Sequence, residues 1–125
     1  MVSRRAHYRV AMVVITAVAL TLTGACTTAH SDPGRAPVAV VHMIDYGFVP
    51  SNLTVPRDAT ITVVNDGKVP HSWIIPKVGV GTQDLAPSQS QNLDLMGIQP
   101  GTYGVTCDLP GHAKLGSVGT VTITK

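Results

Sequence analysis

The chain holds only two cysteines in 125 residues, Cys26 and Cys107, which excludes the dense disulfide network of small secreted scaffolds. Charge is also sparse, at 13% of residues, and acids are missing before Asp32. Arg4, Arg5 and Arg9 therefore account for the basic balance. From residue 26 onward six basic residues stand against seven acidic ones, a net charge of −1. A basic footprint for nucleic acid is excluded. The longest mostly apolar run, Val10 to Leu22, covers 13 residues, whereas a stable membrane span needs about 20. Helical periodicity is nearly absent, and no internal repeat or low-complexity segment stands out. What remains is enough for one domain with its own core, and too little for a multidomain enzyme.

The front of the chain has the order of an export segment: basic residues from Arg4 to Arg9, the apolar run, then the small residues Gly24 and Ala25. Leu22-Thr23-Gly24-Ala25-Cys26 resembles the bacterial lipobox, with Thr23 where that motif usually has Leu. The resemblance implies that Cys26 becomes the lipid-modified first residue of an exported cell-envelope protein, tethered to the outer face of the cytoplasmic membrane. The alternative is an ordinary secretory signal cut near Ala25 or Ala29, with Cys26 incidental. Residues 1–25 are thus read as signal and 26–37, including the small and polar stretch AHSDPGRAP, as linker; residues 38–125 form the domain. With Cys26 lipidated, Cys107 is a lone thiol in an oxidising compartment, and burial, catalysis or metal binding must account for it.

Short β-rich runs recur between turn signals at 38–44, 53–55, 60–65, 72–75, 92–95, 102–107 and 117–124. Thr60-Ile61-Thr62-Val63 and Thr120-Val121-Thr122-Ile123 alternate with period two, as half-buried strands do. Nine prolines and twelve glycines break up long helices. About seven short strands in this length indicate an antiparallel β-sandwich. The Gly-, Gln- and Ser-rich stretch from Val78 to Ser90 reads as an excursion with at most a short helical turn, and Met43, Trp73 and Met96 read as core.

Chemistry concentrates in Tyr103-Gly104-Val105-Thr106-Cys107-Asp108-Leu109-Pro110-Gly111-His112. A strand delivers Cys107, and the Pro110-Gly111 reversal brings His112 back beside it. His71, after the turn Asn65-Asp66-Gly67-Lys68-Val69-Pro70, can reach the same end of a sandwich. Two imidazoles and one thiolate form the mixed soft and borderline set expected of an electron-transfer copper site. Zinc is chemically possible with the same donors. His30 and His42 read as linker and solvent-facing histidines.

From about Val40 to Ile123 the chain resembles the cupredoxin family, the small blue-copper proteins of the plastocyanin and azurin kind. The resemblance rests on Phe48-Val49-Pro50, Val63-Val64-Asn65 with Pro70-His71, Pro100-Gly101-Thr102-Tyr103 leading to Cys107-x4-His112, and Gly119-Thr120-Val121-Thr122. It implies an all-β, cupredoxin-like antiparallel Greek-key β-sandwich. One copper ion would be held by His71, Cys107 and His112. Ser117 stands at the fourth position, where the family carries an axial Met, and Ser72 stands where plastocyanin and azurin carry an Asn that ties the ligand loops together. The shorter Ser72 is expected to tie them less firmly. Leu109, Pro110, Ala113 and Leu115 fit the apolar patch through which the family docks redox partner proteins. The resulting expectation is an exported electron carrier, not an enzyme. The alternative is a protein of copper sequestration or delivery, with copper-handling partners and an exposed, releasing site. A Cys107 nucleophile with His112 as base lacks an orienting third group.

Overall fold

The computed structural model describes residues 35–125. The export segment, Cys26, His30 and the linker up to residue 34 lie outside the described residues. In chain order the elements are β1 (Ala39–Ile44), β2 (Gly47–Val49), β3 (Asn52–Pro56), β4 (Thr60–Asn65), β5 (Ile74–Ile75), β6 (Val80–Gly81), β7 (Ser90–Asp94), β8 (Gly101–Thr106), α1 (His112–Leu115) and β9 (Val118–Thr124). They make two sheets, ordered β2-β1-β4-β7 and β3-β9-β8-β5-β6. Among the described residues no helix is long and apolar enough to cross a membrane.

The all-β sandwich follows from alternation. In β4, Ile61, Val63 and Asn65 are buried while Thr60, Thr62 and Val64 are half-buried, and in β9 Val121 and Ile123 are buried between threonines. The buried side chains from both sheets, including Val41, Ile61, Val63, Trp73, Ile75, Leu95 and Val121, interleave as one core. The sandwich is not uniformly antiparallel, however. β1 runs parallel to β4 and β3 parallel to β9, one such pair in each sheet, while the remaining pairs are antiparallel. The parallel pairs arise because the chain crosses between sheets instead of closing each pair with a hairpin.

One other expectation changes. Met96 is 69% exposed rather than core, because the β7 alternation that buries Leu93 and Leu95 turns the next side chain outward. Its backbone N–H is held by the Asp94 carboxylate at 2.9 Å in the turn that follows. The stretch from Val78 to Ser90, expected to hold at most a short helical turn, opens on the turn that closes Gly79 onto Ile75 and then supplies β6 and an antiparallel bridge between His71 and Leu85. Both are too short to leave a periodic signature. The run expected as strand at 117–124 is β9, which starts at Val118, and the four-residue α1 precedes it. Met43 and Trp73 are buried as expected.

The topology gathers the chemistry at one end. β4 ends at Asn65 beside Met43, at the end of β1. β8 ends at Thr106 opposite Val118, where β9 begins, and Ile74 of β5 pairs with the same Thr106. Segments leaving β4 and β8 therefore meet over the same edge of the core.

Candidate metal centre

His71 is carried by the connection from β4 to β5, and the first thing that holds it is Asn65. That buried side chain donates from Nδ2 to the carbonyls of Val69 at 2.9 Å and Leu85 at 2.7 Å, and its Oδ1 accepts the Gly67 N–H at 2.9 Å. One amide thus holds the first part of the ligand connection and ties it to the Leu85 segment, and leaving any of these groups unpaired would cost about 1–3 kcal/mol. The His71 backbone adds two hydrogen bonds to Leu85, N–H to carbonyl at 3.1 Å and carbonyl from N–H at 2.8 Å. Asn65, read from the sequence as a turn residue, is in this sense part of the site.

Cys107 follows β8 directly and is 2% exposed. Its N–H donates to the Ser117 carbonyl at 3.0 Å, continuing the β8–β9 ladder by one rung. After it the chain reverses through Pro110-Gly111. Gly111 takes φ +85°, a conformation glycine adopts without steric cost, and the short helix α1 then begins with His112.

The three side chains expected as ligands do converge. Their donor atoms all lie within 4.8 Å of one another. Cys107 Sγ is 3.6 Å from His112 Nδ1, and the Nδ1 atoms of His71 and His112 are 3.2 Å apart. His71 is fully buried and His112 half-buried. A thiolate with two imidazole nitrogens fits copper by donor chemistry, and donors this close to one another can share a single cation. The set is positioned to bind one copper ion.

Ser72 ties the two ligand loops more extensively than its size suggested. Its N–H and Oγ lie 3.4 and 3.5 Å from Cys107 Sγ, its hydroxyl donates to the Asp108 carboxylate, and the Asp108 N–H donates back to Oγ at 3.2 Å. A small hydroxyl succeeds here because the main chain brings the loops within its reach.

Ser117 is fully buried. Its carbonyl accepts from Cys107 and its N–H donates to the His112 carbonyl at 3.1 Å, so it bridges the two ligand positions. Its Oγ is the buried side-chain oxygen left without a hydrogen-bond partner among the described residues. Of the thioethers, Met43 belongs to the core cluster. Met96 lies beside the start of β4, since the adjacent Gly97 N–H bonds Asp58 in the turn before that strand, at the opposite end from the ligands.

Two neighbours carry no signal in the sequence. Asp45 and Tyr46 form the two-residue turn between β1 and β2. The Tyr46 ring meets His71 and His112 edge-on, with centroid distances of 6.1 and 5.3 Å. Asp45 Oδ1 lies 3.4 Å from His71 Nε2 and accepts the Lys68 N–H at 2.7 Å. The Lys68 hydrogen bond, and then the His71 contact against partial desolvation, holds the Asp45 carboxyl below its ordinary 3.8. Only the folded chain brings Asp45 to a histidine 26 positions away. His42, by contrast, is exposed and pairs with the Asp66 carboxylate, away from the cluster.

Comparison with known proteins agrees with this fold. A family model described as a cupredoxin-like domain matches residues 13–122. A plastocyanin from Ulva prolifera is 31% identical over 85 residues, 61% of this chain and 85% of that protein. Among solved structures, the dithionite-reduced auracyanin of Roseiflexus castenholzii superposes with a TM-score of 0.59 at 20% identity, covering 74% of this chain and all of that one. A purple cupredoxin from Nitrosopumilus maritimus gives 0.55 at 24% identity, covering 69% and 99%.

Proposed function

Because the chain belongs to the cupredoxin-like family, we propose that it is an exported carrier of single electrons, working through one copper ion held by His71, Cys107 and His112. The observation that carries this reading is the convergence of the three donor atoms within 4.8 Å. Copper, when bound, supplies a one-electron couple between its cuprous and cupric states. The protein's part is to hold its donors still. His71 is fixed by the Leu85 bridge and the Asn65 clamp, Cys107 by the Ser117 rung and by Ser72. A site that barely rearranges on reduction and reoxidation lowers the structural cost of each transfer.

His112 is the route in and out, as the one ligand that is not buried. Around it Pro110, Ala113 and Leu115 are exposed, Leu115 by 61%, while Leu109 turns inward and packs on the core. This apolar rim supports docking of a redox partner protein. Cys107 is closed to substrate, so no nucleophilic catalysis is assigned to it.

In this proposal Ser117 fills the fourth position without a thioether. The proposal also includes the export signal 1–25, the linker 26–37, the domain 38–125 and lipidation at Cys26, all supported by the order of residues at the front of the chain. Mass spectrometry of the mature protein reads the last point: a diacylglyceryl group on Cys26 supports it, and an unmodified new N-terminus near Ala29 removes it.

The main test is anaerobic titration of the purified chain with Cu(I), Cu(II) and Zn(II), followed by visible and electron-spin-resonance spectra. A single tightly held copper with a thiolate-to-copper absorption, surviving repeated reduction and reoxidation in a moderate chelator, is the expected result. Absence of that absorption would defeat the carrier reading. The unpartnered Ser117 hydroxyl, a weaker donor than a thioether, favours copper delivery as the second reading. A delivery protein would surrender its copper to the chelator within the first cycles.

A further inference from the structure

We propose that Asp45 is a positioning residue of the metal centre, one that orients the His71 imidazole for its ion and favours the more highly charged cupric state. This rests on the copper reading above. A ligating histidine is oriented by whatever its other ring nitrogen donates to, and a carboxylate in that place raises the basicity of the ligand. His71 presents Nδ1 to Cys107 and His112, and its Nε2 faces Asp45 Oδ1 at 3.4 Å. With the proton on Nε2, the Nδ1 lone pair is left for the ion.

Two further features keep the carboxylate there. The Lys68 N–H binds the same Oδ1 at 2.7 Å. Gly67 supplies the room: a Cβ at this position would come within 2.6 Å of Asp45 Oδ1 and 3.0 Å of His71 Nε2. A side chain there would push the carboxylate and the imidazole apart. Tyr46, the other residue of the turn, takes φ +62°, an arrangement a bulky side chain adopts only when its surroundings impose it. Its ring then closes over both imidazoles. The turn is therefore bound to the ligand loop from both of its residues.

A negative charge at this distance stabilises Cu(II) over Cu(I), and partial exposure of Asp45 limits the effect through solvent screening. The test compares the whole chain with Asp45→Asn, Gly67→Ala and the charge-matched control Asp94→Asn, which lies at the far end of the molecule. Cu(II) and Cu(I) affinities and the reduction potential are measured, with apo-protein melting as a check on folding. Asp45→Asn is expected to lower the Cu(II)-to-Cu(I) affinity ratio about tenfold, equal to a rise of about 59 mV for a one-electron couple. Gly67→Ala should move it in the same direction, and Asp94→Asn should leave it unchanged.

Nitrogen NMR of the metal-free chain gives a readout independent of copper. His71 should carry its proton on Nε2 in the native chain, and that preference should be lost in Asp45→Ala. A wild-type proton on Nδ1, or an affinity ratio in Asp45→Asn and Gly67→Ala within threefold of wild type, overturns the proposal. Should Asp45→Asn fail to fold, Gly67→Ala decides. If the native chain takes no copper at all, the carrier reading falls, and the tautomer measurement still judges the Asp45 contact by itself.

Discussion

The two imidazoles that share the cluster sit in opposite surroundings. His71 is fully buried, comes from a long connection, and is held by backbone bonds to Leu85, by the Asn65 clamp and by Asp45 behind its ring. His112 is half-buried at the start of a four-residue helix, and its ring contacts Cys107, His71 and Tyr46. One histidine is built into the sandwich and the other is laid across its rim. The pair teaches that a single site can be rigid on its inner side and reachable on its outer side. Each property belongs to a different segment of chain.

Both histidines must address the same sulfur for this contrast to matter, and the largest effect breaks that link. Cys107→Ser is expected to abolish the thiolate-to-copper absorption and to weaken Cu(II) binding by more than roughly 100-fold, beyond what loss of an outer-shell partner costs. Optical titration checks it, and a retained absorption would mean that another group supplies the sulfur.

Next come the two imidazoles themselves, compared in the metal-free protein by chemical denaturation. His71→Ala empties a fully buried position and should cost about 2–4 kcal/mol. His112→Ala should change stability by less than about 0.5 kcal/mol, as replacements on the surface usually do. Equal losses would show that the rim is as integral to the fold as the interior.

Access sharpens the same contrast. After His112→Gly, added free imidazole should restore the copper spectrum, because the vacated position opens to solvent. After His71→Gly the same addition should not, since the position is sealed beneath Tyr46 and the ligand loops. Titration of each variant with imidazole separates the two.

The smallest expected effect concerns Ser117, which joins the two ligand segments through its backbone alone. Since its hydroxyl is already unpartnered, Ser117→Ala should leave the metal-free protein within about 1 kcal/mol of wild type, on the stabilising side. An altered electron-spin-resonance spectrum in the copper-loaded variant would show that the hydroxyl, or a water it holds, reaches the ion.

Much of this was legible in the sequence because it is local. Cys107 and His112 are joined by a five-step reversal built on Pro110-Gly111, and such a turn leaves a readable signature. The strands that carry them alternate with period two, so the all-β sandwich could be read as well. Parallel pairing of β1 with β4 and of β3 with β9 could not, because alternation looks the same whichever way the neighbouring strand runs. Nor could the outward turn of Met96, since a strand's last alternating residue and the first residue of a turn are written alike. Ser72 was underestimated because side-chain length says nothing about how near two loops approach.

The sequence by itself determined the class of fold and the three side chains that converge, for these depend on residue type, short spacing and periodicity. Only the tertiary structure decided which histidine is interior, that Asn65 and Ser72 fasten the loops, and that Asp45 and Tyr46 lie against the ligands. Those relations depend on distances across the sandwich between segments far apart in the chain, and such distances exist only once the sheets have packed.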